Sequence, residues 1–130
     1  DGVGIADEVG ELCEYVNDHW SDRSALHLAA YVLWKLNWIH PFSDGNGRTS
    51  RTASYIVMSI KLDGLLPGSP AIPDQIASNK QPYYEALERA DARWAESREV
   101  DVSALETMLE QMLATQLSSA IREAAEGHSE

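Results

Sequence analysis

The run from Ala25 to Ile39 is apolar nearly all round, and the dipeptide His40-Pro41 cuts it off. A segment with no polar face is stable only when it is covered on every side. It therefore predicts a central buried helix around which the rest of the chain must pack. A residue before proline is pushed out of helical geometry, so the helix is expected to stop at Ile39 and to present His40 to a loop.

The flanking segments also read as helices. Asp7 to Asp18 places Val9, Leu12, Cys13 and Val16 at helical spacing, and Ser21 to Ser24 supplies a polar break with several candidate caps. After the loop, Arg48 to Leu62 predicts a second central helix, closing at Asp63 and Gly64 before a proline-bearing connector from Leu65 to Pro73. A short helix is expected to begin at Pro73 and a longer one to run from Pro82 to about Glu96. In the last helix Ser103 and Glu106 fit a capping box. Val102, Leu105, Met108, Leu109, Met112, Leu113, Leu117 and Ile121 form one stripe there, read as core packing rather than a dimer seam. The tail from Glu126 to Glu130 is expected to fray. No strand-forming alternation interrupts this pattern, so the fold class is all-α.

His40 to Arg51 reads His Pro Phe Ser Asp Gly Asn Gly Arg Thr Ser Arg. An imidazole at a helix end, with a reference pKa of about 6.5, suits a general base near neutral pH. Gly45 and Gly47 tolerate backbone angles that other residues resist, so the loop from Asp44 to Gly47 can turn its amides to one point as an anion nest. The free amides of the next helix add to that focus. Arg48 and Arg51, three residues apart, share a face, and cations in a first helical turn oppose the helix dipole unless an anion compensates them. Asp44 is a hard oxygen ligand beside the nest, as suits a magnesium ion held by one carboxylate, waters and the substrate's phosphates. Asn46 can hydrogen-bond into the loop, and Phe42 reads as an apolar anchor of the loop on the core. Each residue alone would serve a plain helix connector. Together they point to transfer of a phosphate-containing group. The alternating oxygen ligands and closing glutamate of a calcium loop are absent.

Composition narrows the classes. With 130 residues the chain has the size of one domain, and its net charge of -11 argues against a nucleic-acid binder. No apolar stretch reaches membrane-span length without a charge, Lys35 interrupting the longest, and no signal-peptide pattern opens the chain. The cytoplasm is the default location, although secretion through a specialised machine would leave no trace here. Cys13 is the single cysteine, so no internal disulfide can form, and its apolar neighbours Leu12 and Val16 suggest a buried thiol. Trp20, Trp34, Trp38 and Trp94 read as core or groove-lining residues. His19, His27 and His128 lack metal-ligand spacing.

The pattern HPFxDGNGRxxR resembles the active-site motif of Fic-domain proteins, with every fixed position present from His40 to Arg51. The resemblance extends to the helix leading into the motif and to Asn79 to Asp91, which is similar to a later segment with paired tyrosines. It implies the Fic fold, a compact bundle of about six to seven helices with the motif loop between the two central ones. It also implies a protein adenylyltransferase that moves AMP from ATP to a Ser, Thr or Tyr hydroxyl of a target protein, with magnesium as cofactor. On that resemblance His40 is the base and Asp44 the magnesium ligand. Gly45, Asn46 and Gly47 form the anion hole, and Arg48 and Arg51 hold the phosphates, Arg51 taking the terminal one. Tyr83 and Tyr84 line the adenosine pocket, although helix packing explains them equally well from the residues alone. Asp91 falls near the base, where relatives commonly carry asparagine.

Two departures bear on regulation and targeting. Relatives are often restrained by a helix with Ser or Thr, three variable residues, Glu, then Gly or Asn, whose glutamate pairs with the second arginine. Ser119 to Glu123 has the first part but Ala124 follows, so this is read as a coincidental match, with restraint left to a separate antitoxin-like partner or to residues beyond this sequence. The start at Asp1, without methionine, reads as a fragment spanning residues 1–130 of a Fic domain that lacks most of the target-clamping flap. Gly47 favours AMP transfer, because the relative that transfers a terminal phosphate carries lysine there. The alternatives are a Fic-type enzyme that moves another nucleotide-derived group or removes AMP, and a nucleotide-binding regulatory module without catalysis.

Overall fold

The computed structural model describes residues 4–128, and among them every regular element is an α-helix. In chain order these are α1 Gly4–Asp18, α2 Ala25–Ile39, α3 Asn46–Lys61, α4 Ile72–Ser78, α5 Gln81–Ser97 and α6 Ser103–His128. The all-α bundle with the motif loop between its two central helices is as expected. Asp1 to Val3, where the fragment and its flap remnant were read, and Ser129 and Glu130 of the tail lie outside the described residues.

Helix α2 has the boundaries its apolar run predicts. Ser24 caps it by accepting a hydrogen bond from the His27 amide at 3.1 Å, and Leu28 to Lys35 are buried without interruption. The helices α1, α3, α5 and α6 surround it. Lys35 is tolerated in this interior because its ammonium lies 5.6 Å from the Trp34 ring and 5.2 Å from the Trp94 ring, and cation–π attraction offsets part of the lost hydration.

The return helix α3 runs antiparallel to α2 at close range because small side chains face it. Ser50, Ser54 and Met58 recur at four-residue intervals and are buried, and the Ser54 hydroxyl donates across to the Ala29 carbonyl at 2.8 Å. Helix α1 lies on α2 through Leu12 and through Tyr15 stacked on Tyr31, with centroids 3.8 Å apart. Only one side of α1 is covered, so Cys13, about 100° round from Leu12, is exposed rather than buried.

Helix α6 departs from its predicted pattern at both ends. Glu106 does not close a capping box; it accepts from or pairs with His27 Nδ1 at 2.6 Å, while Asp101 accepts from the Ser103 amide at 3.1 Å and hydroxyl at 2.7 Å. Beyond Met112 the inward face carries Gln116 and Ser119, whereas Ile121 is 70% exposed. The reason lies in the connector. Gln116 Nε2 is shared among the Tyr55 hydroxyl and the Leu66 and Pro67 carbonyls at 2.8, 3.1 and 3.2 Å, and its Oε1 accepts from the Ile72 amide at 3.0 Å. The connector's Leu66 and Pro67 carbonyls and the buried Ile72 amide turn towards α6 and need polar partners there, which a leucine could not supply. The helix stays regular through His128, so the expected fraying does not begin at Glu126.

Candidate active site

Helix α2 ends by turning left-handed. His40 adopts φ 53° and ψ 59°, and its amide closes onto the Leu36 carbonyl at 3.0 Å. Proline was expected to push this residue out of helical geometry, and the αL cap does so while satisfying one of the helix's last carbonyls. A non-glycine αL residue costs of order 1 kcal/mol. It throws an exposed imidazole to the mouth of the loop.

The loop is held by Asn46 rather than by Phe42. Phe42 is 51% exposed and anchors nothing on the core. Asn46, 6% exposed, makes a two-pronged amide pair with the Phe42 backbone, accepting from its N–H at 2.9 Å and donating to its carbonyl at 2.7 Å. The loop from His40 to Gly45 is thereby tied to the first residue of the helix that follows it.

That helix begins two residues earlier than its sequence suggests, because Gly45, with φ 78°, serves as the cap residue. Asn46 and Gly47 thus belong to the first turn rather than to the loop, Arg48 is its third residue and Arg51 lies in the second turn. No side chain caps this end, so the first amides remain open to an anion. The charge pattern agrees: α3 carries Arg48, Arg51 and Lys61 and no acidic residue, within a chain of net charge -11. Gly47 matters sterically. A β-carbon there would stand 3.0 Å from Arg51 Nη1, so the guanidinium folds back along α3 towards the open amides.

Asp44 is exposed in the loop beside these amides. Among the described residues no three histidine, cysteine or carboxylate side chains gather as a metal cage. Asp44 is the loop's hard oxygen donor and could hold a magnesium ion that keeps most of its waters.

The tyrosine pair divides. Tyr84 is 49% exposed, whereas Tyr83 is 1% exposed and leaves no ring face for an adenine. The Tyr83 hydroxyl accepts from Asn37 Nδ2 at 2.6 Å. Burial pushes this phenol above its ordinary value, and the Asn37 hydrogen bond and the Arg51 charge oppose that rise. Asn37 went unread in the sequence, although a lone amide three residues before His40 in an apolar run was a signal. Asp91 accepts from Trp34 Nε1 at 2.8 Å, so its carboxylate is engaged on α2 six residues before His40.

The near-match at Ser119 to Glu123 has a structural use. Ser119 is buried, accepts from the Ser69 amide at 2.7 Å and donates to the Gln116 carbonyl at 2.8 Å. Glu123 is exposed, and no ion pair joins it to Arg51 among the described residues.

The Fic/DOC family model matches residues 4–58, a span that contains the whole of α1, α2, the loop and the first three turns of α3. The resemblance read from the motif is thus shown over that stretch. Two proteins named protein adenylyltransferase Fic, from Drosophila persimilis and Drosophila pseudoobscura pseudoobscura, are each 54% identical over 35 residues. The match covers 27% of this chain and 7% of either relative's length. No solved structure matches the chain.

Proposed function

We propose that this chain is the catalytic part of a protein adenylyltransferase of the Fic type, which joins AMP from ATP to a Ser, Thr or Tyr hydroxyl of a target protein. The observation that supports this reading is the start of α3. Its amides after Gly45 carry no side-chain cap, Arg48 stands in its first turn, Arg51 folds back over Gly47 and the helix holds no acidic residue, while the exposed His40 begins the loop that leads into it. The names of the two partial relatives agree with it.

In the reaction, the target's hydroxyl oxygen attacks the α-phosphorus, the bond to the bridging oxygen breaks, and pyrophosphate leaves. His40 accepts the hydroxyl proton as the new phosphodiester forms. The helix amides and Arg48 and Arg51 hold the phosphate oxygens where negative charge gathers, and being fixed in advance they need little reorganisation. Asp44 would hold the magnesium ion, which when bound neutralises phosphate charge. Tyr84, the exposed member of the pair, remains a candidate for stacking on the adenine; Tyr83 does not. The setting is proposed to be cytoplasmic. No helix among the described residues is long and apolar enough to cross a membrane.

The test is mass spectrometry of a cell lysate incubated with ATP, magnesium and this chain, searching for hydroxyl side chains heavier by one adenylyl group. His40→Ala should abolish the modification while leaving ATP affinity within about threefold, since a base contributes chiefly in the transition state. Full modification by that variant would refute the assignment. A protein that binds ATP yet adenylylates nothing, with or without His40, would favour the regulatory-module reading instead.

A further inference from the structure

We propose that the outward face of α3 is a docking surface for a second copy of this chain, with two α3 helices lying antiparallel across a two-fold axis at Ile56. The inference does not depend on the nucleotide reading of the site.

The face is apolar and uncovered. Ile56 is 51% exposed, Ile60 59% and Leu65, just beyond the helix, 95%. These three share one shallow hollow with Tyr55, Ser59 and Asp63, and Ile56 also lines the next, with Arg48, Thr49, Thr52 and Ala53. The two hollows form a continuous strip along the helix, unlike the singly scattered apolar residues that any surface carries. Helical spacing explains why the strip is left open. Ser50, Ser54 and Met58 point into the bundle, and Thr49, Thr52, Ile56 and Ile60 fall on the opposite side.

Charge selects the occupant. A net charge of -11 makes two copies repel over much of their surface, whereas α3 carries no acidic residue. Its strip has a cation at one end, Arg48, and an acid just past the other, Asp63. Both are exposed, and neither makes an ion pair among the described residues. Across a two-fold axis at Ile56, positions equally far before and after it meet. Arg48 and Thr49 then stand against the second copy's Asp63, Thr52 against its Ile60, and Ile56 against itself. The strip is thus its own complement, with each cation meeting an acid and each large side chain a smaller one, as an isologous contact requires.

The nucleotide side stays free. Gly47 and Arg51 lie about 180° and 140° round the helix from Ile56, so a seated copy does not cover the turn over which Arg51 folds. Arg48 lies between the two sides, and its five donors allow a carboxylate on one and a phosphate on the other.

The test is sedimentation equilibrium of the chain from about 1 to 100 μM, the range in which a small interface dissociates. The parent should be a reversible dimer. Ile56→Asp puts two like charges face to face on the axis and should weaken the dimer about tenfold or more, with helix content by circular dichroism unchanged. Ile121→Asp, at a 70% exposed position of α6 outside the strip, should leave it intact. Asp63→Arg should cost about tenfold, because it turns two attractions into repulsions, and combining it with Arg48→Asp should restore the parent's dissociation constant to within about threefold. Both charge positions are exposed, so this exchange is decisive even if Ile56→Asp loses its fold. A monomeric parent would overturn the proposal and leave the strip to a different protein. A dimer that survives Ile56→Asp, or dissociates equally with Ile121→Asp, would place the contact elsewhere and overturn it too. An exchange that fails to restore the dimer would overturn the antiparallel pairing.

Discussion

Replacing Asn46 by alanine isolates what holds the loop. Its side chain makes two hydrogen bonds to the Phe42 backbone, at 2.9 and 2.7 Å, and no apolar anchor assists, since Phe42 is 51% exposed. Each bond is worth about 1 kcal/mol net; because Phe42 lies at the surface its freed N–H and carbonyl can turn to water, so the larger penalty for buried orphan groups does not apply. The expected loss is therefore about 2 kcal/mol, or roughly 6–10 °C in melting temperature for a domain of this size. The functional loss should be larger. His40 and Asp44 sit on the segment that Asn46 ties down, and a loosened loop forfeits their alignment, so adenylyl transfer should drop at least tenfold, about 1.4 kcal/mol of transition-state stabilisation. Asn46→Asp should fall between, since a carboxylate still accepts from the Phe42 amide but faces its carbonyl with another oxygen. Differential scanning calorimetry and a transfer assay with labelled ATP measure the two effects. A melting temperature within about 1 °C of the parent, together with unchanged transfer, would refute the idea that this amide pair holds the loop.

Three further outcomes are expected. Asp44→Ala should lose magnesium-dependent turnover, and a chelator should do the same to the parent; turnover persisting in excess chelator would remove the metal from the reading. Glu123→Gly should leave the transfer rate within about twofold, because Glu123 makes no ion pair with Arg51, whereas a rise of tenfold or more, about 1.4 kcal/mol, would make α6 a built-in brake. Asp101 is held below the usual carboxylate range by the Ser103 hydroxyl and then by the Ser103 amide. Its stabilisation is fully present above the unfolded value of 3.8 and is lost as pH falls through the lower folded one, so the stability gap between the parent and Asp101→Ala should narrow on acidification; a gap that widens in urea melts at low pH would contradict this.

What could be read from the sequence depended on whether a residue's role was written in its own neighbourhood. The apolar run and the proline set both ends of α2, and the residue types from His40 to Arg51 pointed to an anion site, at a helix start that carries no side-chain cap. The start of α3 was misplaced by two residues because its cap, Gly45, has no side chain to declare it, and the true capping contact of the loop is Asn46 reaching backwards. Other roles were set by partners far along the chain. Gln116 looks like a flaw in an apolar stripe until the carbonyls of Leu66 and Pro67 and the amide of Ile72 are placed against it. Tyr83 and Tyr84 are adjacent and chemically identical, and only the packing of α5 decides that one is core and the other surface. Asp91 accepts from Trp34, a partner 57 residues away that its own neighbourhood does not announce. The same dependence on distant partners explains why Asn37 went unread. An amide in a buried helix has to satisfy its donors, and here one of them reaches 46 residues along the chain to the Tyr83 hydroxyl. A polar residue interrupting an apolar face is thus a pointer to the long-range contact that redeems it.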